Sequence, residues 1–89
     1  MKRFYTDNAQ DDLIFIKKNN QKNLIDKIGK LLDDIELHGV SEGIGKPEQL
    51  SGDLKGYYSR RITKKERLVY TVVEDTIVIL QCRTHYKDK

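Results

Sequence analysis

Apolar residues change their spacing part-way along this chain, which restricts it to folds with helices first and strands after. Leu24, Ile28, Leu31, Leu32 and Ile35 recur at i, i+4, i+7, i+8 and i+11, one stripe along a 3.6-residue period. That spacing predicts a helix over residues 21–38 whose stripe packs on a sheet, with Gly39 as its stop. Further on, β-branched and aromatic residues take over. Residues 57–62, 67–73 and 76–83 read as three strands, separated by turns at 63–66 and 74–75. Ile77, Val78, Ile79 and Leu80 form a continuous run, as in a strand covered on both faces.

Residues 2–6 read as a first strand built on Phe4 and Tyr5, and Thr6 or Asp7 offers an N-cap. A first helix then places Leu13, Ile14, Phe15 and Ile16 on its apolar side and ends at Asn19 and Asn20. Five glycines and the single proline lie between residues 39 and 56, which is loop chemistry, and Pro47 is expected to push Lys46 towards an extended conformation and to bar a helix there. The order is β-α-α-loop-β-β-β. It predicts an α+β fold in which two N-terminal helices pack on a small antiparallel β-sheet. A length of 89 residues suits one domain, spanning 1–89.

Periodic apolar spacing in a chain that is 37% apolar and 35% charged excludes a disordered polymer. The longest apolar run is too short to cross a membrane. Cys82 is the only cysteine, so it is expected as a buried core thiol in a reducing cytoplasm. Met1, Lys2 and Arg3 lead into a mixed segment and not into a signal peptide. Two distant histidines and one cysteine do not make a ligand set, so neither metal nor cofactor is expected. Charge is unevenly placed: residues 1–44 carry seven Lys/Arg against eight Asp/Glu, and residues 45–89 carry ten against six. A polyanion would therefore meet the strand half.

That half also holds a set of groups suited to phosphodiester chemistry. Strand alternation puts Arg67 on one face with Val69, Thr71 and Val73, and pairs Arg83 with His85. Arg67 begins a strand and His85 ends one, so both can meet at one rim of an antiparallel sheet, which Glu48 would reach from its loop. RNA carries its own nucleophile, the 2′-OH. Glu48 suits the base that takes its proton, and His85, with an ordinary pKa of about 6.5, suits the acid that protonates the leaving 5′-oxygen. Arg67 suits the developing phosphate charge, and Tyr86 suits stacking or a phosphate contact. His38, at a helix C-terminus, suits the helix dipole and is given no chemistry.

The blocks Gly45-Lys46-Pro47-Glu48, Ser59-Arg60-Arg61-Ile62, Arg67-Leu68-Val69-Tyr70 and Cys82-Arg83-Thr84-His85-Tyr86 together resemble the YoeB (Txe) toxins of the RelE/ParE toxin–antitoxin superfamily. The resemblance spans nearly the whole chain. It implies a RelE-like fold similar to microbial ribonucleases, and a metal-independent endoribonuclease that cuts mRNA in the A site of the 70S ribosome and so inhibits translation. It implies Glu48 as general base, His85 as general acid, Arg67 as phosphate stabiliser and Tyr86 as the tyrosine completing the site. Lys46, Arg60 and Arg61 are implied as supporting RNA contacts. A YefM-type antitoxin and a toxin homodimer are the implied partners. Ser51 stands where relatives often have lysine, Tyr58 where tryptophan is common, and Lys87-Asp88-Lys89 extends beyond the usual His-Tyr end. Competing readings are a ribonuclease of free RNA, a non-catalytic ParE-like inhibitor of DNA gyrase and an inactive RNA-binding module.

Overall fold

Thr6 starts the first helix as the sequence predicts. Its hydroxyl accepts the Ala9 N–H at 3.2 Å and donates to the Leu80 carbonyl at 2.9 Å. One side chain thus caps a helix and ties that helix start to the C-terminal strand. The computed structural model describes residues 1–83. In chain order these form β1 (Lys2–Tyr5), α1 (Asp7–Lys18), α2 (Lys22–His38), β2 (Glu48–Gln49), a 3₁₀ turn (Gly52–Leu54), β3 (Tyr58–Arg61), β4 (Arg67–Val73) and β5 (Thr76–Gln81).

The five strands form one sheet in the order β1-β5-β4-β3-β2. Pairing is antiparallel from β5 through β2, as expected. β1 departs from that expectation by lying parallel to β5, in the register Lys2↔Thr76 to Tyr5↔Ile79. A parallel pair needs a long crossover, and almost the whole chain separates these two strands. Strand spacing in the sequence carries no information on that direction. β2 was also absent from the sequence reading, because two residues after a proline are too few to show a period. The β4–β5 hairpin turns through Glu74 and Asp75 with φ of 46° and 63°, the left-handed pair that suits a two-residue turn.

All five residues of the predicted α2 stripe are buried, and they meet Leu68, Tyr70, Ile77 and Ile79 from the sheet. In α1 the buried residues are Ala9 and Ile16. Ile14 and Phe15 are 55% and 44% exposed, so the apolar side of α1 is narrower than its composition suggested. Among the described residues, helices lie on one face of the sheet only. Cα pairing sets Phe4, Val78 and Thr71 in one row on the other face, so no described helix covers the second side of the unbroken apolar run of β5.

Replacing Leu31 by alanine should test that core directly. Its side chain is fully buried, and Leu31→Ala is expected to lower unfolding free energy by about 2–5 kcal/mol, read as a reduced urea midpoint with an unchanged slope.

Candidate active site

Alternation along β3 splits two adjacent arginines between the two faces of the sheet. Arg60 pairs with Leu68, and Arg61 pairs with Arg67. Leu68 faces the helices, so Arg60 does too, and Arg61 and Arg67 share the open face. The same register sets Glu48 opposite Ser59, Ser59 opposite Val69, and Val69 opposite Gln81. A row thus crosses four strands on the open face, with buried Ser59 and Val69 as its floor and exposed Glu48 at its edge.

Arg61 and Arg67 form the next row. Strand spacing and rise put the Cα atoms of Glu48 and Arg67 roughly 12 Å apart, a gap that two long side chains close around a phosphate. The Arg61 N–H donates to the Gly45 carbonyl at 2.7 Å, which sets Lys46 beside this row. Lys46 has φ of 51°, in the left-handed region and not extended as the following proline predicts, so the chain bends sharply just before Pro47 and Glu48. Among the described residues no ion pair engages Glu48, Lys46, Arg61 or Arg67. Three cations and one carboxylate share a corner without neutralising each other through contact.

Arg60 does not join them. It is fully buried, and all five of its N–H donors are used inside the protein. Nε donates to Tyr70 Oη at 2.8 Å, and Nη1 to Asp34 Oδ2 at 2.7 Å and the Ile44 carbonyl at 3.0 Å. Nη2 donates to the carbonyls of Gly39 and Glu42 at 2.8 and 2.6 Å. The expectation of an RNA contact at Arg60 is therefore corrected to a structural role. The signal was present in the strand: Arg60 has the parity of Tyr58 and Ile62, both turned to the core. Tyr58 stacks near Tyr70, with ring centroids 6.0 Å apart, which fits a packing residue in place of tryptophan.

Asp34 is the charge partner that the sequence reading overlooked. The Arg60 hydrogen bond holds its carboxyl below the ordinary value, helped by the Ile44 N–H and by His38 and opposed by partial burial. His38 Nε2 is 3.6 Å from Asp34 Oδ1. Buried Cys82 has its thiol pushed up to about 12, by desolvation first and by Asp12 second, so it is inert as a nucleophile.

β5 ends at Gln81, at the end of the sheet where Arg67 begins β4. The strand thus stops two residues short of the Arg83 end expected from the sequence, and the grouping of Arg83 with His85 lies outside the described residues. The Arg83 guanidinium carbon sits 3.9 Å from the centroid of the Phe15 ring, and its Nε is 3.9 Å from Asp12 Oδ1. Asp12 Oδ2 accepts the Cys82 N–H at 3.0 Å. This gives exposed Phe15 its function, as a platform for Arg83. His85 and Tyr86 lie outside the described residues.

A model of the "YoeB-like toxin of bacterial type II toxin-antitoxin system" matches residues 5–86. The chain belongs to this family of toxins. Toxin YoeB of Escherichia coli K12 is 40% identical over 86 residues, covering 97% of this chain and all of that one. Toxin YoeB of Synechocystis is 39% identical over 87 residues, covering 98% and 99%. The toxin chain of a heterotetrameric YoeB–YefM complex from Staphylococcus aureus superposes with a TM-score of 0.88 at 43% identity, covering 97% of this chain and 98% of that one. The two helices on a five-stranded mixed sheet are thus the fold of YoeB toxins.

Two stability measurements separate the paired arginines. Arg60→Ala should cost at least about 2 kcal/mol, since the Tyr70 hydroxyl, the Asp34 carboxylate and three part-buried carbonyls lose their donor, whereas Arg61→Ala should stay within about 0.5 kcal/mol. Acid titration of folding tests Asp34. Its folded pKa is depressed, so its contribution is complete above the unfolded carboxylate value and lost as pH falls through the folded one. Asp34→Asn should remove that part of the acid limb.

Proposed function

We propose that this YoeB-family toxin is a metal-independent endoribonuclease that cuts mRNA on the 70S ribosome and so stops translation. What supports this most is a single placement. Glu48, Arg61 and Arg67, with Lys46 beside them, share the corner of the sheet face that no described helix covers, at the end of the sheet where β5 finishes. A basic corner binds the RNA backbone, and an exposed carboxylate within it can accept a proton.

The reaction needs four roles. Glu48 takes the proton of the 2′-OH, and O2′ attacks the adjacent phosphorus. Arg67 neutralises the charge gathering on the non-bridging oxygens, with Arg61 and Lys46 holding the flanking backbone. The bond to the 5′-oxygen breaks as His85 supplies its proton, and Tyr86 orients the scissile group. The products are a 2′,3′-cyclic phosphate upstream and a 5′-OH downstream. The ribosome would supply the register of the message, which these few residues do not. A YefM-type antitoxin is the partner that holds the toxin inactive, and a homodimer is its self-associated form. In Staphylococcus aureus, relatives form a YoeB–YefM complex and a YoeB dimer. The site of action is the cytoplasm, with the ribosomes.

The test is single-turnover cleavage of a defined mRNA, free and on a positioned ribosome. Glu48→Gln and His85→Ala should each slow ribosome-bound cleavage by about 10²- to 10⁴-fold, with the Glu48→Gln variant still fully folded. Equal cutting of free RNA would make the protein a general ribonuclease. No cleavage, with inhibition of gyrase supercoiling, would replace the proposal by the binding-toxin reading.

A further inference from the structure

We infer that Arg60, which faces away from the open corner, is the positioning residue that sets the place of Glu48. The inference rests on the reading of Glu48 as general base. β2 is only two residues long and lies at the sheet edge, so ladder pairing with β3 holds Glu48 weakly. The segment before it is held much more firmly. Arg60 binds the carbonyls of Gly39, Glu42 and Ile44, and the Tyr70 hydroxyl donates to the Val40 carbonyl at 2.6 Å. Asp34 Oδ2 accepts the Ile44 N–H at 3.0 Å, and the Gly45 carbonyl is bound by the Arg61 N–H.

The loop also lies against these groups without spare room. A Cβ on Gly43 would collide with Asp34 Oδ2, and one on Gly45 would stand 2.8 Å from Leu31 Cδ2 and 3.1 Å from Arg60 Cβ. Both glycines have positive φ, 115° and 82°. From Gly45 only Lys46 and Pro47 separate the pinned loop from Glu48, and Pro47 fixes its own φ. The backbone from which Glu48 projects is therefore set from behind the sheet, through the loop, with one buried guanidinium holding three of its carbonyls. A planar fork with five donors does this, and a lysine, with three donors on a point charge, cannot reproduce it.

A double-mutant cycle on ribosome-bound mRNA cleavage, with folding followed separately, tests this. Arg60→Lys is expected to slow the single-turnover rate by about 10- to 100-fold at unchanged KM, because a misplaced group loses rate and not binding. Combined with Glu48→Gln it should cost nothing more than Glu48→Gln alone. Tyr70→Phe keeps the ring, removes the hold on Val40, and should show a smaller loss with the same lack of additivity. It carries the test if Arg60→Lys does not fold. Effects that multiply with Glu48→Gln would overturn the positioning role. Wild-type cleavage by Glu48→Gln alone would instead overturn the reading of Glu48 as base.

Discussion

A buried guanidinium with every donor occupied is the constraint around which this structure is arranged. An isolated charge in the interior is prohibitively costly, and an arginine is tolerated there only with its fork fully satisfied. Asp34 supplies the opposite charge from α2, Tyr70 an oxygen from β4, and the 39–45 loop three carbonyls. Satisfying Arg60 therefore folds the glycine-rich loop back on the helix, and the sheet edge after it follows. The ring of Tyr70 adds a cation–π contact, with the guanidinium carbon 5.7 Å from its centroid.

The sheet then divides labour between its faces. Towards the helices lie the apolar stripe of α2 and its partners Leu68, Tyr70, Ile77 and Ile79, which supply the burial that stabilises a small domain. Away from the helices lie Glu48, Arg61 and Arg67, whose charges are not cancelled by contact with each other. Such an arrangement stabilises nothing by itself, and groups left in that state at a sheet corner are available to a ligand. A second anchor, Asp12 with Cys82 and Arg83, fixes where the chain leaves β5. The loop before Glu48 and the chain after β5, as far as Arg83, are thus both held from the helix side.

Much of this was legible in the sequence, and the failures have physical causes. The α2 stripe, the Thr6 cap, the Gly39 stop and the three long strands follow from periods and caps that local chemistry enforces. The direction of β1 does not, because pairing direction is decided by the path of the intervening chain. Arg60 was grouped with Arg61 by family resemblance, although its parity with Tyr58 and Ile62 pointed inward. Side-chain charge suggested a surface, and only the positions of Asp34 and the loop carbonyls show why a charge is stable inside. Glu48 and Arg67 were named for the chemistry they suit and Arg61 through family resemblance, but their common face depends on register, which residue order leaves open.

The claim at the centre is that the nucleophile belongs to the RNA and that this chain moves protons around it. The most direct measurement uses ribosome-bound mRNA with a single 2′-deoxy nucleotide on the 5′ side of the mapped cut, compared with the all-ribose message. Cleavage at that bond should disappear in the deoxy message, while the ribose message yields a 5′-OH fragment. Continued cutting at the deoxy position would contradict that claim, since the attacking oxygen would then have to come from water or from the protein.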